Sequence, residues 1–229
     1  MTQEVISIRA SVRTPRAAAI AGILFAVLLM TAFSLLRLSV PADPLEAGMW
    51  LKTSANTVAL ALNLVPSAGI AFLWFIGVLR DRLGEREDRF FATVFLGSGL
   101  LILAMLFASA AVVGVIVIAY SAQSKALLDS ATFTFARAVT FEIMNIYAIK
   151  MAGVFMISAS ALAIRTGFIP RWLAFLGYAL ALLLLLSSRS IEWILLAFPL
   201  WVLLISIHIL IDNLRRPAAG TDQELHAPH

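Results

Sequence analysis

Residues 133–164 read FTFARAVTFEIMNIYAIKMAGVFMISASALAI, and this stretch decides the class of fold. It is one long apolar run, interrupted in its first half by Arg137, Glu142, Asn145, Tyr147 and Lys150. About 20 helical residues cross roughly 30 Å of hydrocarbon, so the run is long enough to span a bilayer. A charge at the bilayer centre costs about 2.5–3.5 kcal/mol on insertion scales, so each polar group here needs a partner, water or a task. The same stretch is therefore a membrane span and the place to look for function.

The rest of the chain repeats the pattern. Hydrophobic residues make up 62% of it and charged residues 13%, with a mean hydropathy of +0.97. No soluble domain carries that composition on its surface. Apolar runs fall at 17–38, 55–79, 90–119, 133–164, 172–187 and 191–211, which predicts an all-α, polytopic bundle of six transmembrane helices. The third and fourth runs are overlong and should tilt, bend or project. The fifth is short. No linker or low-complexity tract divides the spans, so residues 1–212 read as one membrane domain and 213–229 as a polar, disordered tail.

Orientation follows from the basic residues. Placing the N-terminus in the cytoplasm puts Arg9, Arg13, Arg16, Arg80, Arg82, Arg86, Arg89, Arg165, Arg171, Arg215 and Arg216 on that side. Arg37, Lys52, Lys125, Arg137 and Arg189 fall on the other, and Lys150 stays within the membrane. The positive-inside rule then predicts both termini in the cytoplasm of a plasma (inner) membrane. Topology accounts for the pI near 10.0, and no basic, aromatic-studded surface points to nucleic acid. The first run is too long for the apolar core of a secretory signal and lacks a cleavage site, so it reads as a first span. The loop Arg80–Arg89 carries four arginines and four acids and reads as a solvated, topology-setting turn.

On an ideal helix of 100° per residue, Glu142, Asn145, Ile149, Gly153, Met156 and Ser160 share one face of the fourth span, within an arc of about 80°. Ala148, Ala152, Ala159 and Ala163 form a small-residue stripe beside it. Ala148 and Ala152 make a small-xxx-small pair, as do Ala110 and Gly114 on the third span, and the two helices are expected to pack through them. On the second span, Asn56, Asn63 and Ser67 share a stripe, and Pro66 cannot donate to the carbonyl of Leu62. Asn63 is thus a candidate to face Glu142, Asn145 and Lys150 across a substrate or ion site. The competing reading is an outer-leaflet cap in which Lys150 snorkels to the interface.

Enzymatic readings find little support. There is no His-Glu-x-x-His, Gly-x-Ser-x-Gly or Walker loop, and the lack of cysteine rules out thiolate metal sites and Cys nucleophiles. Of three histidines only His208 lies in or near a span, one turn from Asp212, so no bis-histidine haem is held within one chain. No metal or cofactor is expected. Pro15-Arg16 precedes Gly22 by the spacing at which Pro170-Arg171 precedes Gly177, a fragment of a repeat that helix-start chemistry explains.

The start Arg16-Ala-Ala-Ala-Ile-Ala-Gly22 and the segment Gly167-Phe-Ile-Pro170-Arg171-Trp172-Leu173-Ala-Phe-Leu-Gly177 resemble an uncharacterised family of small bacterial six-helix membrane proteins, a domain of unknown function. That resemblance implies a bacterial inner-membrane bundle and transfers no activity. Two functions follow from the residues. The chain either passes a small solute or ion through a polar site between its second and fourth spans, or serves as a non-transporting accessory or scaffold that binds a membrane partner. Homo-oligomerisation through small-residue faces is compatible with both.

Overall fold

Long apolar sequence with few internal breakers folds as long helices, because the backbone then satisfies its own hydrogen bonds. The computed structural model describes residues 2–41, 43, 48–83, 89–122, 130–167, 169–186 and 193–215. Helix α1 runs Thr2–Ser39, and a 3-10 turn Gly48–Trp50 leads into α2, Leu51–Leu83. Then come α3, Arg89–Ala122, and α4, Ala131–Glu142. A π-helical segment, Ile143–Ala148, joins α4 without a break to α5, Ile149–Thr166. Helix α6 spans Arg171–Leu186, and a second 3-10 turn, Ile194–Leu196, opens α7, Ala197–Arg215. Local chemistry sets several of these ends. The Ser130 hydroxyl accepts the Phe133 N–H at 3.2 Å to cap α4. Gly167, at φ 68°, stops α5 in the left-handed conformation that glycine adopts without strain.

Among the described residues five helices are long and apolar enough to cross a membrane: Arg16–Ser39, Leu51–Arg80, Phe90–Ala122, Ala131–Thr166 and Ile194–Arg215. Each of the six predicted runs falls on a helix, although α1 begins 15 residues before the first run and the fifth becomes the 16-residue α6. At about 1.5 Å per residue it is roughly 24 Å long, less than a hydrocarbon core of about 30 Å. The fourth run is one rod of 36 residues. Helix α7 continues through Asn213 to Arg215, so the expected tail starts later than 213, and residues 216–229 lie outside the described residues. The centre of the charged loop, 84–88, lies outside them too.

Helix α1 packs between α2 and α7, α2 also packs on α3, and α5 sits between α3 and α6. Five of these helices converge on an aromatic centre. Phe25 of α1 stacks on Phe72 of α2 at 4.4 Å, and Phe155 of α5 stacks on Phe95 of α3 at 4.7 Å. Phe198 of α7 stands edge-on to both Phe72 and Phe155 at 5.6 Å. All but Phe198 are fully buried, and it is 5% exposed. Edge and offset geometries suit the ring quadrupoles, so the cluster gains more than area alone would give.

Glycines let backbones meet at two related places. A Cβ on Gly22 of α1 would fall 2.0 Å from Ser206 Oγ of α7, and one on Gly177 of α6 would fall 2.2 Å from Ser160 Oγ of α5. These are the two glycines of the Pro-Arg…Gly fragment, and each receives a buried serine hydroxyl that has no hydrogen-bond partner among the described residues. Weak Cα–H···O contact is the interaction such geometry allows. Helix α3 packs on the π-segment and on α5. Ala148 and Ala152 are buried, but the nearest atom to a Cβ on Gly114 would be Leu62 Cδ1 of α2, at 4.0 Å.

Candidate functional site

The polar residues of the fourth span lie where that helix changes register. The π-helical segment Ile143–Ala148 holds Asn145 and Tyr147, directly follows Glu142 and ends two residues before Lys150. A π-turn closes i→i+5 rings, so a 100° wheel drawn through it misplaces everything beyond, and such segments are frequent at functional sites. Asn145 Nδ2 donates to the Phe141 carbonyl at 3.0 Å, supplying a side-chain donor where the ladder shifts.

Beside this segment the bundle opens into a cavity of about 260 Å³. Its walls come from the end of α1 (Phe33, Leu36, Arg37), from Trp50, from α3 (Val113, Ile116) and from α4 and the π-segment (Arg137, Met144, Asn145). Trp193, Leu195 and Leu196 complete it ahead of α7. Among the described residues that line it, the charged ones are the two arginines, Arg37 and Arg137. Below, a smaller void of about 30 Å³ continues the cavity along the π-segment, sharing Phe33, Met144 and Leu195 and bounded by apolar side chains such as Leu29, Ala148 and Phe198. The site is an arginine-bearing, partly aromatic mouth above an apolar crevice.

Arg137 organises the mouth. It is only 8% exposed, its Nη2 donates to the Pro41 carbonyl at 3.1 Å, and its guanidinium lies 5.7 Å from the Trp50 ring and 6.0 Å from the Phe133 ring. Desolvated cation–π contacts of this kind contribute on the order of 1–2 kcal/mol. Trp50 is equally buried, and its Nε1 has no hydrogen-bond partner among the described residues. An unmade hydrogen bond on a buried donor costs about 1–3 kcal/mol, so this indole N–H is a donor in reserve at the edge of the cavity.

Lys150 has a different task. Its Nζ donates to the carbonyls of Leu184, at 3.4 Å, and Leu185. The last four carbonyls of a helix lack intrahelical donors, and a cation there also complements the helix dipole. Lys150 thus serves the carbonyl end of the short α6 from α5.

Of the four residues singled out from sequence, only Asn145 lines the cavity. Glu142 is half-buried at the end of α4, Lys150 is turned to α6, and Asn63 is exposed on α2, away from the cavity walls. Sequence reading missed Arg137, Arg37 and Trp50 as site residues. Arg37 served only as a topology marker, and Arg137, though noted among the polar breaks of the fourth span, was not carried into the site, although an arginine flanked by Phe133, Phe135 and Phe141 was the available signal. Farther along α5, Ile149, Gly153, Met156 and Ser160 are buried, and a Cβ on Gly153 would meet Leu185 of α6 at 2.9 Å. That face is packing, not a wet path. Among the described residues no three His, Asp or Glu side chains gather as a metal site. Comparison with protein-family models, curated proteins and solved structures finds no match to this chain.

Proposed function

We propose that this chain is a multi-pass membrane protein that handles a small amphiphilic solute, and that the cavity at its Arg137 end is where the solute binds. The observation that carries this reading is the pairing of two arginines at the mouth with an apolar crevice below. Such a site suits an anionic head, carboxylate or phosphate, on a short alkyl tail. Guanidinium groups hold such oxyanions bidentately. Ligand cavities usually measure about 300–1,000 Å³, so about 260 Å³ takes a single-chain amphiphile rather than a whole diacyl lipid. With the termini cytoplasmic, as the arginine distribution argues, this end faces outward, and the resemblance of the two chain ends would place the protein in a bacterial inner membrane.

The aromatic centre beneath the crevice supports binding rather than an open pore. Passage to the other side would require Phe72, Phe155 and Phe198 to part. The solute site expected between the second and fourth spans is thus replaced in this reading by one between α1, α3, α4 and the approach to α7. The alternative role, a scaffold for a membrane partner, draws its support from the exposed amides of α2.

The reading is tested by tryptophan fluorescence in nanodiscs of zwitterionic lipid, since Trp50 and Trp193 both line the cavity. Decyl phosphate should give a saturable change, with dodecyl maltoside and decyltrimethylammonium silent, and Arg137→Met should weaken the response about tenfold or more. Equal responses to all three amphiphiles, or none to decyl phosphate, would overturn it.

A further inference from the structure

Helix α2 carries polar groups on the side that the bundle leaves uncovered. Asn56, Leu60, Asn63, Ser67, Ile70, Trp74 and Gly77 are all exposed, and their alternating spacing of four and three residues is the heptad repeat of a helix–helix seam. The residues between them, Val58, Ala61, Val65, Ala68 and Phe72, face the bundle and are buried. Exposed leucine and isoleucine are ordinary on a lipid-facing helix. Exposed asparagine is not. At about 1.5 Å per residue, Asn63 lies roughly 18 Å from Leu51 and 26 Å from Arg80, near the middle of the span.

Two polar groups on other helices are satisfied within their own helix. Thr31, also exposed, donates to the Val27 carbonyl at 2.8 Å, and Asn213 donates to Ile209 at 2.7 Å. Asn56, Asn63 and Ser67 have no hydrogen-bond partner among the described residues. Pro66, also exposed and inside α2, has no N–H to give the Leu62 carbonyl. Unsatisfied amides at mid-membrane depth, on a heptad seam, are groups that another helix must meet.

We infer that α2 is the interface of a homodimer in the membrane, with Asn56 and Asn63 each facing its own copy. Two copies inserted with one topology are related by an axis along the membrane normal, which sets each residue opposite itself. Only self-complementary groups suit that arrangement. A carboxamide carries both donors and acceptors and so pairs with its own image, whereas the charged Lys52 and Arg80 stand only at the ends of the span. The four-three spacing gives the left-handed crossing of about 20° seen in most bundles. This inference is independent of the cavity and its ligand.

The chain has no cysteine, so single cysteines at Asn56, Leu60, Asn63 and Ser67 report on the seam, with cysteines at Val58, Ala61 and Val65 as the inward set and Leu101 and Val115 as lipid-facing controls. In native membranes a copper–phenanthroline oxidant should give a band of twice the protein mass at the seam positions only. In the unsubstituted background, Asn63→Leu should leave the melting temperature nearly unchanged and weaken dimerisation roughly three- to tenfold by photobleaching step counts, in line with measured interhelical hydrogen bonds. Equal cross-linking at Leu101 and Val115, no dimer band at Asn63 in folded protein, or a cross-linked band of another mass would each overturn the pairing of two copies.

Discussion

Around Phe155, five helices meet with rings at 4.4 to 5.6 Å and exposures of 0% to 5%. Around Asn145, on the same continuous rod, the helix changes to a π-turn and its neighbours leave a cavity of about 260 Å³. The difference lies in what each region has to satisfy. At the aromatic centre, glycines and phenylalanines fill space with no hydrogen bond to arrange, so packing alone decides the geometry. At the other end a buried guanidinium, a turn that breaks the helical ladder and the carbonyls of a short helix all demand donors or acceptors. Polar satisfaction costs packing density, and the resulting space is where a ligand fits.

The comparison can be broken most severely at the centre. Phe155→Ala removes a ring that touches Phe72, Phe95 and Phe198, and should cost about 3–5 kcal/mol of stability. Thermal unfolding in detergent would register this as a large drop in melting temperature. A shift within error would mean that the centre is looser than its geometry implies. Next in size is Lys150→Met, which leaves two carbonyls of α6 without their donor, at about 1–3 kcal/mol. Hydrogen exchange should rise at the Leu184 end of α6 before anywhere else, and Lys150→Arg should restore most of the protection. Uniform loss of protection would contradict a local capping role.

Arg137→Met should cost less in stability, about 1–2 kcal/mol from the lost cation–π contacts and the Pro41 hydrogen bond. Its clearer effect should be the weakened binding of decyl phosphate. The smallest expected change sharpens the contrast from the packed side. Ser160 and Ser206 hydroxyls are buried without partners, so Ser160→Ala and Ser206→Ala should be neutral or stabilising by up to about 1 kcal/mol. A marked loss of stability in either would show that the hydroxyl makes an interaction at Gly177 or Gly22 that matters.

Much of the fold was legible in sequence because span detection depends only on length and composition. The helices α1 to α7 fall where the apolar runs predict, and even the shortness of α6 was visible. The site was far less legible. Lys150 meets Leu184 and Leu185 from 34 and 35 positions away, and Arg137 meets Pro41 across 96. No periodicity carries such contacts. The π-turn adds a second reason, since one changed ring size invalidates a 100° wheel from Ile143 onward. The Gly22 and Gly177 fragment shows the converse. A match too short to establish a repeat still marked two glycines that perform the same packing task, each against a serine of a neighbouring helix.

Water and the ligand's head group should reach the π-turn and go no farther, the crevice below admitting only an alkyl tail. Single cysteines at Thr140 and Asn145, which line the cavity, and at Ile149 and Met156, which are buried, can be labelled in intact membranes with an impermeant maleimide. The account predicts rapid labelling at Thr140 and Asn145, slowed by decyl phosphate, and none at Ile149 or Met156. Labelling of Met156 at the rate of Asn145, or a silent Asn145 in folded protein, would contradict it.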